Sequence, residues 1–213
     1  MAKPLIQVAL DSLDYEQTLA LARQAAPYVD IIEIGTPCLK VNGLALVKAM
    51  RAAHPDKKLF VDLKTMDAGY YEAEPFFKAG ADITTVLGTA DIGTIKGVVD
   101  VANAYGKLAQ VDLINVRDKA ARAAEASRIG AHIIGIHTGI DQQLAGQTPF
   151  ADLSALVALG LNVQVSVAGG IKQETVQQVV RSHPNIIVVG GAITGSKAPE
   201  LAAREIRELV DAA

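Results

Sequence analysis

Leu59-Phe-Val-Asp-Leu-Lys-Thr-Met-Asp67 begins as a short apolar run, of the kind that forms a buried β-strand, and then becomes charged. Similar apolar runs recur along the chain at near-constant spacing, and longer helical patterns separate them. This alternation is typical of repeated βα units that build a parallel sheet. Eight strands are predicted, over residues 5–10, 29–34, 59–63, 82–87, 108–114, 131–137, 162–167 and 186–189.

Eight such units predict an α/β fold, a single-domain (β/α)8 TIM barrel over residues 1–213, although such barrels more commonly have about 250 residues. The alternative is an open, doubly wound sheet, which normally carries a glycine-rich fingerprint after its first strand. Residues 9–14 cover the end of the first strand and the loop after it, and they contain no glycine. The longest irregular connection, residues 138–149, is a candidate active-site lid. Helices are predicted over residues 15–26, 44–53, 120–129, 175–181 and 199–210.

The composition excludes several classes of partner. Half of the residues are apolar, and 20 Lys and Arg against 23 Asp and Glu give a net charge of −3 without any basic tract. Nucleic acid and anionic membranes are therefore not expected partners. No apolar run approaches the roughly 18 residues of a membrane span, so we expect a cytoplasmic protein. The single cysteine, Cys38, excludes an internal disulfide and is expected to contribute to packing.

Polar residues stand at the C-terminal ends of five predicted strands, where barrel enzymes place their active sites. Taken alone, an Asp there is more often a helix cap, and a single His is more often structural. Together, so many charged side chains would be costly to bury unless they surround a metal or a substrate. The residues that the alternation of a strand directs into the barrel are Asp11, Glu33, Asp62, Lys64, Asp112 and His137.

A metal site is predicted at Glu33 and Asp62, which lie on neighbouring predicted strands and offer only oxygen ligands. Mg²⁺ prefers such ligands, and Mn²⁺ is a possible substitute. The chain has no cluster of His and Cys that would favour zinc.

Two glycine pairs, Gly169-Gly170 and Gly190-Gly191, follow the last two predicted strands. Either pair alone could simply form a tight turn. The loops after these two strands commonly bind phosphate in barrels, so both pairs together predict a phosphate site. Residues 190–197 also have the glycine spacing of a nucleotide-binding P-loop, but Ser196-Lys197 reverses the order that such a loop requires.

The motif Asp62-x-Lys64-x-x-Asp67 resembles that of the orotidine 5′-monophosphate decarboxylase superfamily. Within this superfamily, the chain is similar along essentially its whole length to the 3-hexulose-6-phosphate synthase family, including residues 33–37, 81–88, 111–114, 137–139 and 167–171. A sister family, the 3-keto-L-gulonate-6-phosphate decarboxylases, shares the barrel, the Mg²⁺ and most catalytic residues. Where that family typically has Glu, Arg, Thr and Arg, this chain has the synthase pattern of Asp112, Ile140, Ala168 and Ala192.

The resemblance implies a lyase that adds formaldehyde to D-ribulose 5-phosphate through an enediolate, giving D-arabino-hex-3-ulose 6-phosphate in formaldehyde fixation by the ribulose monophosphate pathway. Mg²⁺ held by Glu33 and Asp62 would chelate the C1 and C2 oxygens of the sugar. Lys64 would stabilise the enediolate, and His137 is the candidate general base at C1, because an imidazole exchanges protons near neutral pH.

The resemblance also assigns supporting roles. Asp11 and Asp112 would bind sugar hydroxyls or order Lys64 and the waters of the metal. Asp67 would reach into the active site of a neighbouring subunit, which implies a homodimer with shared sites.

The sister decarboxylase is the first alternative to a Mg²⁺-dependent aldolase, and three others remain. Lys64 could form a Schiff base, although neighbouring carboxylates keep a lysine protonated. A ribulose-phosphate 3-epimerase has a similar barrel but lacks the Asp-x-Lys-x-x-Asp motif. A non-catalytic phosphosugar-binding barrel would be expected to have lost Lys64 or a metal carboxylate, and this chain has both.

Overall fold

The computed structural model describes residues 3–213, so the first two residues of the predicted domain lie outside it. Eight parallel strands form a closed barrel in sequence order, in which the first strand pairs with both the second and the last. This confirms the predicted (β/α)8 barrel. The strands are β1 (Leu5–Leu10), β2 (Ile31–Ile34), β3 (Lys58–Thr65), β4 (Ile83–Leu87), β5 (Leu108–Asp112), β6 (Ile133–His137), β7 (Gln164–Ala168) and β8 (Ile186–Val189).

Helices connect the strands around the outside. Aspartates begin three of the helices, since the side chains of Asp14, Asp91 and Asp118 accept hydrogen bonds from backbone N–H groups of the first turn. None of the described helices is long and apolar enough to cross a membrane. The helices are α1 (Tyr15–Ala25), α2 (Thr36–Ala53), α3 (Gly69–Lys78), α4 (Ile92–Ala104), α5 (Lys119–Arg128), α6 (Ile140–Leu144), α7 (Phe150–Ala158), α8 (Gln173–Arg181), α9 (Gly191–Thr194) and α10 (Pro199–Asp211).

Two predicted segments differ clearly from the structure. Helix α2 begins at Thr36 rather than at residue 44, because the chain continues through a kink at Gly43, whose φ of 57° and ψ of −152° are not helical. Residues 138–149 are not irregular throughout, since they contain the short helix α6.

Two apolar layers hold the barrel together. The larger lies between the strands and the helices and includes Ile32 and Ile34 of β2. The smaller fills the barrel interior, and its members are Ile31, Phe60, Ile83, Ile133, Ile186 and Val188. Burying such side chains stabilises the fold by about 1.5–3 kcal/mol each. This interior layer forms the floor of the space that opens at the C-terminal ends of the strands.

Strand β3 bulges where it meets β4. Val61 pairs with Thr84 and Thr65 pairs with Val86, so three residues of β3 lie opposite the single residue Thr85. Within this bulge Lys64 has a φ of 46°, in the left-handed region that residues other than glycine seldom adopt. Extra residues of this kind redirect side chains and are frequent beside active sites.

Candidate active site

A cavity of about 700 Å³ opens at the C-terminal ends of the strands. All six charged residues that were predicted to face the barrel interior line this cavity, and so do both glycine pairs. The lining therefore includes Asp11, Glu33, Asp62, Lys64, Asp112, His137, Gly169, Gly170, Gly190 and Gly191. Charged groups line one part of the cavity and glycine backbone another, which is the arrangement expected for a phosphorylated polar substrate.

The carboxylate of Asp62 is held from three directions. Thr36, at the start of α2, donates its hydroxyl to Oδ2 at 2.7 Å, and Thr85 of β4 donates to Oδ1 at 2.6 Å. The ammonium of Lys64 forms an ion pair with the same carboxylate. With the side chain of Asp62 only 8% exposed, this carboxylate has a fixed orientation.

The Lys64 ammonium lies between two carboxylates, since its Nζ is also 3.5 Å from Oδ2 of Asp112. Burial by itself would lower the pKa of Lys64, but the charges of Asp62 and Asp112 outweigh it and raise that pKa above its ordinary value. Lys64 is therefore a cation and a hydrogen-bond donor at neutral pH. A protonated lysine is a poor nucleophile, which argues against the Schiff-base alternative.

Glu33 is buried beside Asp62. Burial and then the charge of Asp62 raise the pKa of Glu33 to about 8, although the side-chain amide of Gln7 donates to its Oε2 at 2.6 Å. Two close carboxylates in a buried site repel each other, and a cation between them would offset that repulsion.

Mg²⁺ fits the oxygen ligands of Glu33 and Asp62. Within residues 3–213 no group of three or more His, Cys, Asp or Glu side chains could hold a metal. A Mg²⁺ ion does not need such a cage, because it commonly keeps several waters and binds one or two carboxylates together with substrate oxygens. The two carboxylates are therefore a candidate Mg²⁺ site that a substrate would complete.

Asp112 and His137 form a second functional pair. The Nδ1 of His137 lies 2.9 Å from Oδ2 of Asp112, whose Oδ1 accepts the backbone N–H of Ile114 at 2.8 Å. Burial tends to raise the pKa of Asp112, but the hydrogen bond from His137 and the charges nearby lower it overall. An ionised carboxylate can only accept, so Nδ1 carries the proton and Nε2 remains able to take one.

Glycines shape the cavity at two places. Gly169 has a φ of 112°, and a Cβ at this position would lie 2.4 Å from the carbonyl oxygen of Thr138. A Cβ on Gly35 would lie 2.0 Å from Oδ1 of Asp11 and 3.0 Å from the carbonyl oxygen of Leu10. At Gly169 the positive φ and the nearby backbone oxygen require glycine, whereas a side chain at Gly35 would displace the carboxylate of Asp11.

Asp67 is the one predicted site residue that does not line the cavity of its own chain. It lies on the surface and accepts the backbone N–H of Ala68 at 2.8 Å. Large apolar side chains are exposed on either side of it, with Met66 54%, Tyr70 44% and Tyr71 81% exposed. Asp67 therefore stands within an exposed apolar segment at the mouth of the barrel.

The sequence reasoning missed three polar residues that support the site. None of the predicted site residues was Gln7, Thr36 or Thr85. Thr85 could have been found by alternation, because it is two residues beyond Ile83, which points into the barrel. Thr36 carried no such signal, since its position follows from where α2 begins.

Comparisons with known proteins identify the family of the chain. The model of the orotidine 5′-phosphate decarboxylase / HUMPS family matches residues 4–206. A 3-hexulose-6-phosphate synthase of Methylomonas aminofaciens is 64% identical over 96% of this chain and 98% of the relative. Another, of Mycobacterium gastri, is 47% identical over 96% of this chain and 99% of the relative.

Solved structures show the same fold. The crystal structure of 3-hexulose-6-phosphate synthase from Salmonella typhimurium superposes with a TM-score of 0.95 at 37% identity, covering 98% of this chain and 99% of that one. A 3-keto-L-gulonate-6-phosphate decarboxylase from Vibrio cholerae gives a TM-score of 0.85 at 30% identity, covering 99% of both chains. The fold alone therefore does not separate the two activities.

Proposed function

Because the chain belongs to the orotidine 5′-phosphate decarboxylase / HUMPS family, we propose that it is an aldehyde-lyase that adds formaldehyde to D-ribulose 5-phosphate, as 3-hexulose-6-phosphate synthases do. The observation that carries this proposal is the identity of 64% over nearly the full length of a synthase. The cavity supports it as well, since Asp112, Ile140, Ala168 and Ala192, the four positions of the synthase pattern, all line it.

The geometry suggests how the residues divide the reaction. The phosphate would bind the backbone of the two glycine pairs, which places the C1 end of the sugar among the charged side chains. Nε2 of His137 would take the proton from C1, and the ammonium of Lys64 would stabilise the resulting enediolate. C1 then forms a bond to the formaldehyde carbon, and the imidazolium of His137 returns a proton to the formaldehyde oxygen.

Glu33 and Asp62 would hold the Mg²⁺, or Mn²⁺ in its place. When bound, the ion supplies positive charge that makes the C1 proton easier to remove. Asp11 would bind a sugar hydroxyl, and Asp112 would order both His137 and Lys64.

We propose that the protein is a cytoplasmic homodimer whose subunits complete each other's active sites. The support is the position of Asp67, outside its own cavity and among exposed apolar residues. Contiguous exposed apolar surface commonly marks an interface. A second copy packed against Tyr71 and its neighbours would bury this surface and would bring the partner chain close to Asp67.

A paired assay tests the proposed reaction. The purified protein with Mg²⁺ should consume formaldehyde in the presence of D-ribulose 5-phosphate and should release carbon dioxide from 3-keto-L-gulonate 6-phosphate more slowly. EDTA and Lys64→Ala should each abolish formaldehyde consumption. Faster decarboxylation would assign the chain to the sister activity, and full activity in EDTA would exclude the metal. Binding of the sugar phosphate without either reaction would indicate a non-catalytic barrel.

A further inference from the structure

Thr85 supplies contacts that the bulge in β3 would otherwise lack. The bulge leaves three residues of β3 opposite Thr85 alone, so the regular backbone ladder is interrupted there. The hydroxyl of Thr85 accepts the backbone N–H of Lys64 at 2.9 Å and donates to Oδ1 of Asp62 at 2.6 Å. One side chain of β4 therefore ties together the backbone of one site residue and the carboxylate of another.

The contacts of Thr85 stabilise a backbone conformation of Lys64 that is unfavourable by itself. Lys64 has a φ of 46°, and such backbone persists in non-glycine residues only where the surroundings fix it. Thr85 is 1% exposed, so water cannot take over the role of its hydroxyl. Without the hydroxyl, the N–H of Lys64 would lose its acceptor, and the turn could relax toward ordinary strand geometry. The Lys64 ammonium would then leave its place between Asp62 and Asp112.

We propose that Thr85 is a positioning residue of the active site, holding Asp62 and the turn at Lys64 in the geometry that the reaction needs. The proposal rests on the proposed function, because it assumes that both residues act on the substrate. Thr85 does not line the cavity, so its effect passes through those two side chains. Thr36 also binds Asp62 but lines the cavity, so its replacement would change the cavity surface as well.

The neighbouring residue provides a matched control. Thr84 is fully buried, and its hydroxyl has no hydrogen-bond partner within residues 3–213. Thr84→Val and Thr85→Val make the same chemical change, one residue apart, at two buried sites. Only Thr85→Val removes a hydroxyl that forms hydrogen bonds.

The test compares Thr85→Val, Thr85→Ser and Thr84→Val with the wild type, with Mg²⁺ present for the kinetic measurements and absent for the Mn²⁺ titration. It measures kcat and KM, exchange of the C1 proton of D-ribulose 5-phosphate in D₂O, Mn²⁺ affinity by electron paramagnetic resonance, and thermal unfolding. We expect Thr85→Val to lower kcat and Mn²⁺ affinity roughly 10–100-fold, as loss of a residue that orients a metal ligand does. KM for the sugar phosphate should change little, because the glycine pairs are untouched. Thr85→Ser should restore most of the loss, and Thr84→Val should resemble the wild type.

Two results would overturn the proposal: Thr85→Val as active as Thr84→Val, or Thr85→Ser as impaired as Thr85→Val. If Thr85→Val does not fold, Thr85→Ser against Thr85→Ala makes the same comparison with smaller side chains. Failure of the proposed function would look different. The wild type would then form no hexulose phosphate, while C1 exchange and Mn²⁺ affinity would still depend on the Thr85 hydroxyl.

Discussion

At the scale of single residues, the hydrogen bond between Asp112 and His137 determines which ring nitrogen can act as a base. Asp112→Asn would place an amide beside Nδ1 that can donate, which favours the tautomer with the proton on Nε2. We expect exchange of the C1 proton of D-ribulose 5-phosphate to slow roughly 10²–10⁴-fold, the range for a lost general base. Nuclear magnetic resonance in D₂O measures this rate.

A second histidine provides the control for this prediction. The Nε2 of His132 lies 3.1 Å from Oδ1 of Asn103, and neither residue lines the cavity. Asn103→Ala should leave the exchange rate within about twofold of the wild type, as surface changes usually do. Equal rates in Asp112→Asn and Asn103→Ala would mean that His137 is not the base.

At the scale of elements, the connection from β7 to α8 depends on the conformation of Gly169. An alanine there would be strained by the φ of 112° and would meet the carbonyl oxygen of Thr138 at 2.4 Å. We expect Gly169→Ala to shift the loop, to raise KM for the sugar phosphate about tenfold or more, and to destabilise the fold by about 1–3 kcal/mol. Steady-state kinetics and denaturant unfolding measure the two effects separately.

Gly106 provides a control that distinguishes the effect of backbone strain from an effect on phosphate binding. It also has a positive φ, of 63°, but a Cβ there would meet nothing within 4 Å, and it lies outside the cavity. Gly106→Ala should lower stability without changing KM. A KM for Gly169→Ala equal to that of Gly106→Ala would argue against a phosphate site after β7.

At the scale of the whole molecule, shared active sites predict complementation between two inactive variants. Lys64→Ala removes a residue of the chain's own cavity, whereas Asp67→Ala would remove one from the partner's. Random pairing of the two variants after co-refolding gives half heterodimers, each with one intact site of two, so about one quarter of wild-type activity should return. Each variant refolded alone is the control. No recovery in the mixture would place both residues in the same site.

Much of the architecture could be predicted because βα repetition is a local property of the sequence. The first and last residues of β1 and β8 were predicted correctly. Strand β3 extends two residues beyond its predicted end, to Thr65, and β5 ends at Asp112, two residues before its predicted end. The start of α2 was missed because Gly43 interrupts the helical pattern without ending the helix. Helix α6 was missed because five residues are too few to show a period.

The residues that face the barrel interior could be read from the sequence, because side chains alternate along a strand and the apolar neighbours of Glu33 and Asp112 must pack outward. The sequence also indicated that those residues lie at one end of the barrel. How they pair became visible only in the folded chain. Thr85 reaches Asp62 from 23 residues away, and His137 reaches Asp112 from 25. Such contacts depend on the register between strands and on the bulge in β3, and no local pattern in the sequence reports either.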